Sequence, residues 1–256
     1  MVTTCAARLA CAAVLVLLPP SEGKTAPAAG PPLDLAALAY PELTATRERV
    51  LAAVVKLSGG RPARALAALG LSPGQAGELE RNAALRTAPT APAAEVYTGV
   101  LYERLRLPEL PPAARGRVLI ASALWGVVRP DDRIPAYRLS ISARLPRIAG
   151  LATYWRPALE KALPDEGLVV DLRSGGYAAA WTARGATVVT VRGFHEQDGA
   201  RKVVSHFVKA IRGDVARALL EAPTAPRTPE EVAQIAAAAG HEVELAGASV
   251  DVITRG

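Results

Sequence analysis

The chain has 256 residues, half of them hydrophobic and only 4% aromatic, so it can bury a sizeable core built of Ala, Leu and Val. Its formal net charge of +6 is uneven: residues 129–213 carry 14 basic against 8 acidic side chains, while residues 214–256 carry 3 against 7. Both cysteines, Cys5 and Cys11, lie at the very start, which excludes a disulfide framework, an iron–sulfur cluster or a Cys-type zinc site in the body of the chain. The positive field suits polyanions or small anionic ligands, and ordinary solubilising charge accounts for it as well.

In chain order, Leu9–Leu18 is apolar but too short to span a bilayer, and Pro19-Pro20 follows where a cleavage site would stand. Val14–Leu18 reads instead as a buried first strand, and residues 1–13 as an extension outside the fold. The following Ser21-Glu22-Gly23-Lys24-Thr25 ends like a phosphate-binding P-loop but lacks its first glycine, so a Walker motif is rejected. What remains is a strand-end loop carrying a hydroxyl, a carboxylate and an amine.

Leu43–Leu57 has helical periodicity, with Val50, Leu51 and Val54 on one stripe and Arg47, Glu48 and Arg49 expected outside. Arg61–Leu69 and Pro73–Leu85 read as two short helices around Gly70-Leu71-Ser72. That pair is either a helix-hairpin-helix, able to offer backbone N–H groups to a nucleic-acid phosphate, or a plain helical unit. Ala93–Leu105, containing Tyr97 and Thr98, reads as one helix, so the helical insertion covers about 43–106.

Arg117–Ala121 is a second buried strand. It opens into Ser122–Ser142, SALWGVVRPDDRIPAYRLSIS, which is dense in arginine, aspartate and rigid rings for a connecting loop. Tyr137–Ala143 alternates apolar and polar and reads as a strand. Further strands are expected at Gly167–Leu172, Ala186–Val191 and Arg201–Phe207, with a turn at Gly193–Gly199. Helices are expected at Leu151–Leu163, Val208–Glu221 and Pro229–Ala239, before a terminal hairpin. The fold class is α/β, or mixed α+β: a central mixed sheet flanked by helices, with residues 14–256 as one domain.

The ordered set PPSEGKT, VYTG, SALWGVVRPDDRIPAYRL, VVDLRSGGY and KVVSHFVKAIRG resembles the YaaA family of bacterial peroxide stress resistance proteins. Trp125-Gly126, Arg129-Pro130, Asp132 and Pro135–Leu139 carry most of the specificity, and the match runs from about Val14 to the terminal hairpin. The resemblance implies a cytoplasmic protein with a helix-hairpin-helix-like element. It also implies DNA binding and a role in limiting intracellular iron and oxidative DNA damage. It supplies no catalytic mechanism, and SEGKT departs from the shorter Ser-Pro-Ala-Lys-Thr form of the family's first loop.

Two functions follow. One is a DNA-binding stress protein. The other is an enzyme or binding protein for a small phosphate- or carboxylate-bearing metabolite. The candidate binding residues are Ser21, Lys24, Tyr97, Thr98, Ser122, Arg129, Arg138, Arg173, Ser174, Lys202, Ser205, Lys209 and Arg212, and the catalytic candidates are Lys24, Asp132 and Tyr137. Most come from strand ends, which converge in open α/β sheets. Arg129, Arg138 and Lys209 would bind the anion, and a desolvated Lys24 can serve as acid–base group or nucleophile. No cofactor, metal or membrane contact is expected, although His195, Glu196 and Asp198 form a weak candidate for iron.

Overall fold

The computed structural model describes residues 14–197, 200–202 and 205–255; the side chains of Gln197, Ala200, Ser205, His206 and Arg255 fall outside the described set, as do residues 1–13. The organising element is β1 (Leu15–Leu18), whose four side chains are all buried because both faces of the strand are covered. It pairs in parallel with β3 (Val118–Ser122) on one side and β6 (Leu168–Asp171) on the other. Between β1 and β3 run α1 (Thr44–Ser58), α2 (Pro62–Leu69), α3 (Gly77–Ala83), the short β2 (Ala91–Pro92), α4 (Ala93–Val96), α5 (Val100–Leu105) and α6 (Pro112–Arg115). Helices thus follow the first strand, over 44–115 where about 43–106 is expected.

The stretch after β3 holds β4 (Gly126–Val128), antiparallel to β3, and β5 (Arg133–Ile134), which pairs with β2. Helix α7 (Leu151–Ala162) leads to β6, and α8 (Gly175–Ala178) to β7 (Thr187–Gln197). Then come β8 (Ala200–Lys202), α9 (Ser205–Glu221), α10 (Pro229–Ala238), β9 (Glu242–Ala246) and β10 (Ser249–Arg255). The main sheet runs β4-β3-β1-β6-β7-β10-β9, with β8 on β7; β6, β7 and β10 are parallel and the edges antiparallel. It is a mixed α/β architecture with a central mixed sheet. Among the described residues no helix is long and apolar enough to cross a membrane.

The strand order places a crevice. The connection from β1 leads to β3, on one side, while that from β6 leads to β7, on the other. Loops leaving adjacent parallel strands in opposite directions open a gap at the carboxyl ends, the usual ligand position in open α/β sheets.

Several expectations are corrected. Ala93–Leu105 is two helices, because Tyr97 is extended and Gly99 takes φ +92°, outside the helical region. Tyr137–Ala143 joins no ladder, yet the alternation of burial holds: Tyr137 and Leu139 are buried, Ser140 and Ser142 exposed. The turn expected at Gly193–Gly199 does not begin at Gly193, since β7 continues through it to Gln197, and the tip expected at Asp198-Gly199 lies outside the described residues. A Cβ there would lie 3.0 Å from Ile211 Cδ1, so glycine lets α9 pack directly on the strand. The expected strand Arg201–Phe207 reduces to β8, with α9 starting at Ser205. Arg47 does not face outward. It is fully buried, donating to the Trp125 and Val127 carbonyls at 3.1 and 2.9 Å, and burial lowers its pKa to about 10.

Trp125-Gly126, prominent in the sequence, serves packing. Gly126 has φ +73°, and a Cβ would meet the Trp155 ring at 2.8 Å. Trp155 in turn donates its indole N–H to Ala123 O at 2.9 Å. Between α2 and α3, the Gly70 and Leu71 amides already donate to Ala67 and Leu66 carbonyls within the chain.

Candidate functional site

A cavity of about 540 Å³ opens at that crevice. One wall is Pro19–Lys24, the loop after β1; the others are Thr98–Tyr102, Arg138–Ile141, Ser174 with Tyr177 after β6, and Lys209 with Arg212 on α9.

The first loop is held by its own backbone and by the break between α4 and α5. Lys24 and Tyr97 form an antiparallel bridge, and Thr25 N–H donates to Val96 O at 2.9 Å. Ser21 Oγ accepts from Thr98 N–H at 3.1 Å, and Tyr102 hydroxyl donates to Pro19 O at 2.7 Å. Had 93–105 stayed one helix, neither the bridge nor the Thr98 contact would exist.

Lys24 Nζ donates to Ser21 O at 2.7 Å and lies 4.1 Å from the centroid of the Tyr137 ring and 5.3 Å from that of Tyr97. Among the described residues it makes no ion pair. Burial lowers its pKa to about 7; Arg138 and Arg81 push the same way, and Glu78 and Glu22 partly oppose them. The amine is therefore substantially neutral near physiological pH, a state an ordinary surface lysine does not reach.

Beneath it is a buried hydroxyl chain. Tyr137 hydroxyl lies 2.8 Å from that of Tyr97 and 2.7 Å from Ser122 Oγ, which also accepts from Leu124 and Trp125 N–H. Burial raises the pKa of Tyr97 and Tyr137 well above the ordinary phenol, so both remain neutral hydrogen-bonding groups. Tyr177, on the cavity wall, is pushed up to about 12 by burial.

The cations arrive separately. Arg138 is placed by Asn82, a fully buried residue of α3. Its amide accepts from Arg138 N–H at 2.9 Å and donates to Arg138 O at 2.8 Å, acting as a strand partner would. Arg138 also donates to Glu22, through the backbone O at 3.1 Å and the carboxylate at 3.2 Å. Lys209 is exposed, and Arg212, three residues on, is half-buried with an Nε that has no hydrogen-bond partner among the described residues. Burial lowers the Arg212 pKa, partly opposed by Asp171. Helix α9 reaches the cavity because Gly213 packs against α5: a Cβ there would lie 2.4 Å from Leu101 O.

The family model described as "Peroxide stress protein YaaA" matches residues 14–244, which include every wall of this cavity. The chain belongs to the YaaA family. A UPF0246 protein of Streptomyces coelicolor is 47% identical over 241 residues, covering 90% of this chain and 92% of its own. One from Corynebacterium efficiens is 45% identical over 237 residues, covering 91% and 95%. Another from Corynebacterium glutamicum strain R is 43% identical over 236 residues, covering 90% and 95%.

Of the residues singled out in this YaaA-family chain, Ser21, Lys24, Thr98, Arg138, Ser174, Lys209 and Arg212 line one cavity, and Tyr97, Ser122 and Tyr137 form the hydroxyl chain against it. Others are occupied elsewhere. Arg129, expected beside Arg138, donates to Gly116 O at 2.8 Å and to the Tyr40 hydroxyl at 3.3 Å, and does not line the cavity. Asp132 accepts from Ala39 and Arg129 N–H at 2.9 and 2.8 Å, a loop staple whose pKa burial raises. Arg173 is buried in a bidentate pair with Asp171 at 2.9 and 2.7 Å. Lys202 is exposed on β8, away from the cavity wall, and the Ser205 side chain lies outside the described residues. His195 stacks on Phe207 with centroids 4.9 Å apart, Glu196 pairs with Arg201, and Asp198 lies outside the described residues. Asn82, Tyr102 and Gly213 carry little signal in the sequence; only the polarity of Asn82 on a short helix hints at its role.

Proposed function

We propose that this YaaA-family chain acts in the cytoplasmic response to peroxide stress by binding DNA, and so limits iron-dependent oxidative damage, with a backbone phosphate held at the cationic mouth of the cavity. The observation that carries this reading is the convergence of Arg138, Lys209 and Arg212, from two distant parts of the sequence, on the carboxyl end of one sheet. Charge-assisted bonds from such a set favour phosphate, and the Arg212 Nε, buried without a partner among the described residues, is one donor an anion would satisfy. Contacts to phosphate fix position without reading sequence, so the affinity would depend steeply on salt and weakly on base order. Fluorescence anisotropy with duplex, bulged and single-stranded DNA at about 50 and 200 mM salt tests it. Absent or salt-independent binding would reject the DNA reading.

A second reading is favoured by the shape of the site. A cavity of about 540 Å³ has the size of a small-molecule site, and a duplex backbone does not need that depth. In this reading the same cations bind a small phosphate- or carboxylate-bearing metabolite. A thermal-shift screen with nucleotides, sugar phosphates and amino acids separates the two readings.

A further inference from the structure

The geometry points to Lys24 as a Schiff-base-forming amine, with the aldehyde of a phosphate-bearing sugar as the chemical class of its ligand. The phosphate cradle of this proposal rests on the anion-binding reading above, but the covalent step goes beyond it.

Three observations lead there. First, Lys24 Nζ is committed only weakly: it donates to one carbonyl, Ser21 O, and rests on the faces of Tyr137 and Tyr97, with no ion pair among the described residues. A carboxylate in contact would keep the amine charged. Burial and nearby guanidinium groups act in the opposite direction, toward the nucleophilic neutral amine. Second, the amine opens onto a cavity with room for a ligand, not onto bulk solvent. Third, the cavity is lined by basic side chains other than Lys24. Arg138, Lys209 and Arg212 can take the anionic end of a ligand, leaving its carbonyl carbon to Lys24.

The step balances without a further reactant. The amine nitrogen adds to the aldehyde carbon and forms the C–N bond. Both amine hydrogens pass to the carbonyl oxygen, which leaves as water as the C=N bond forms. No electron donor or acceptor is consumed.

Such an aldehyde has two sources, the deoxyribose of an abasic site in DNA and a free phosphorylated sugar aldehyde. The experiment uses the full-length protein with sodium cyanoborohydride, which reduces an imine to a stable secondary amine. One arm receives an oligonucleotide with a single abasic site, the other deoxyribose 5-phosphate; peptide mapping then locates the adduct. The expected result is labelling of Lys24 at least on the order of tenfold above Lys56, Lys161 and Lys202 near pH 7.5, since burial lowers the Lys24 pKa to about 7 and the other three do not line the cavity. Because the readout is on the unmutated chain, it does not depend on a variant folding. Lys24→Met should lose the adduct, while Lys202→Met keeps it. Equal labelling of all lysines, or none, in both arms overturns the inference. Duplex binding with no adduct rejects Lys24 as nucleophile and leaves the DNA reading intact; an adduct with the sugar phosphate and no duplex binding does the reverse.

Discussion

Asn82→Ala removes the side chain that stands in for a strand beside Arg138. In the folded chain its amide exchanges two hydrogen bonds with the Arg138 backbone, at 2.9 and 2.8 Å, across 56 residues of sequence. Asn82 is fully buried, so water does not readily replace the missing partner. Two hydrogen bonds of ordinary net worth, with part of the penalty for leaving their partners unmet, come to about 2–3 kcal/mol. In a chain of this size, that lowers Tm by roughly 4–12 °C. Differential scanning calorimetry measures the shift, and anisotropy with a labelled duplex measures the accompanying drop in affinity as Arg138 is released from its position. Asn82→Asp keeps the acceptor for Arg138 N–H but loses the donor and buries a charge, so it should be no better than alanine. A Tm within about 1 °C of wild type, a shift worth less than ~0.5 kcal/mol, together with unchanged affinity, would refute the claim that Asn82 positions Arg138.

Two further outcomes are expected. Gly213→Ala places a methyl group within 2.4 Å of Leu101 O and must push α9 away from α5. It should cost about 1–3 kcal/mol in urea unfolding and weaken anion binding, because Lys209 and Arg212 ride on the same helix. Lys24 has a pKa near 7 when folded against 10.5 ordinarily, so between these values the unfolded chain binds more protons and native stability rises with pH. Relative to Lys24→Met, which lacks this titration, the wild type should therefore gain stability between pH 7 and about 10, as read by urea midpoints. The charges facing Lys24 are Arg138, Arg81, Glu78 and Glu22, and they are unchanged in the variant. A constant difference across that range would contradict a buried, largely neutral Lys24.

The parts of the fold legible in the sequence are those fixed by local pattern. Val14–Leu18, Arg117–Ala121 and Gly167–Leu172 are apolar runs, and they become the adjacent strands β3-β1-β6. Thr228 before Pro229 marks a helix start, and its side chain accepts from Glu231 N–H. The failures come from tertiary partners. Alternation after Tyr137 signals two faces correctly, but the ladder it suggests is replaced by one amide from α3. Arg47 reads as a solvent charge until the hairpin carbonyls of Trp125 and Val127 require a donor. The glycine at 193 reads as a turn, whereas it marks a close approach between β7 and α9.

For the site, residue type locates the strand-end loops but not the direction of each side chain. Arg129 and Arg138 are nine residues apart and chemically identical, yet only Arg138 reaches the cavity, because Arg129 is held by Gly116 O and Tyr40. The cations on α9 arrive through Gly213, whose role depends on a helix more than a hundred residues earlier.

The most direct measurement of the central claim compares duplex affinity for Arg212→Ala, Lys209→Ala and Lys202→Ala across a salt series. Lys209 and Arg212 line the cavity, whereas Lys202 is an exposed cation outside it. Weaker binding is expected for the first two, with the salt slope falling by about one for each phosphate no longer neutralised, and Lys202→Ala should bind like wild type. Undiminished binding by the cavity variants, or an equal weakening in Lys202→Ala, would contradict a phosphate held at the cavity mouth.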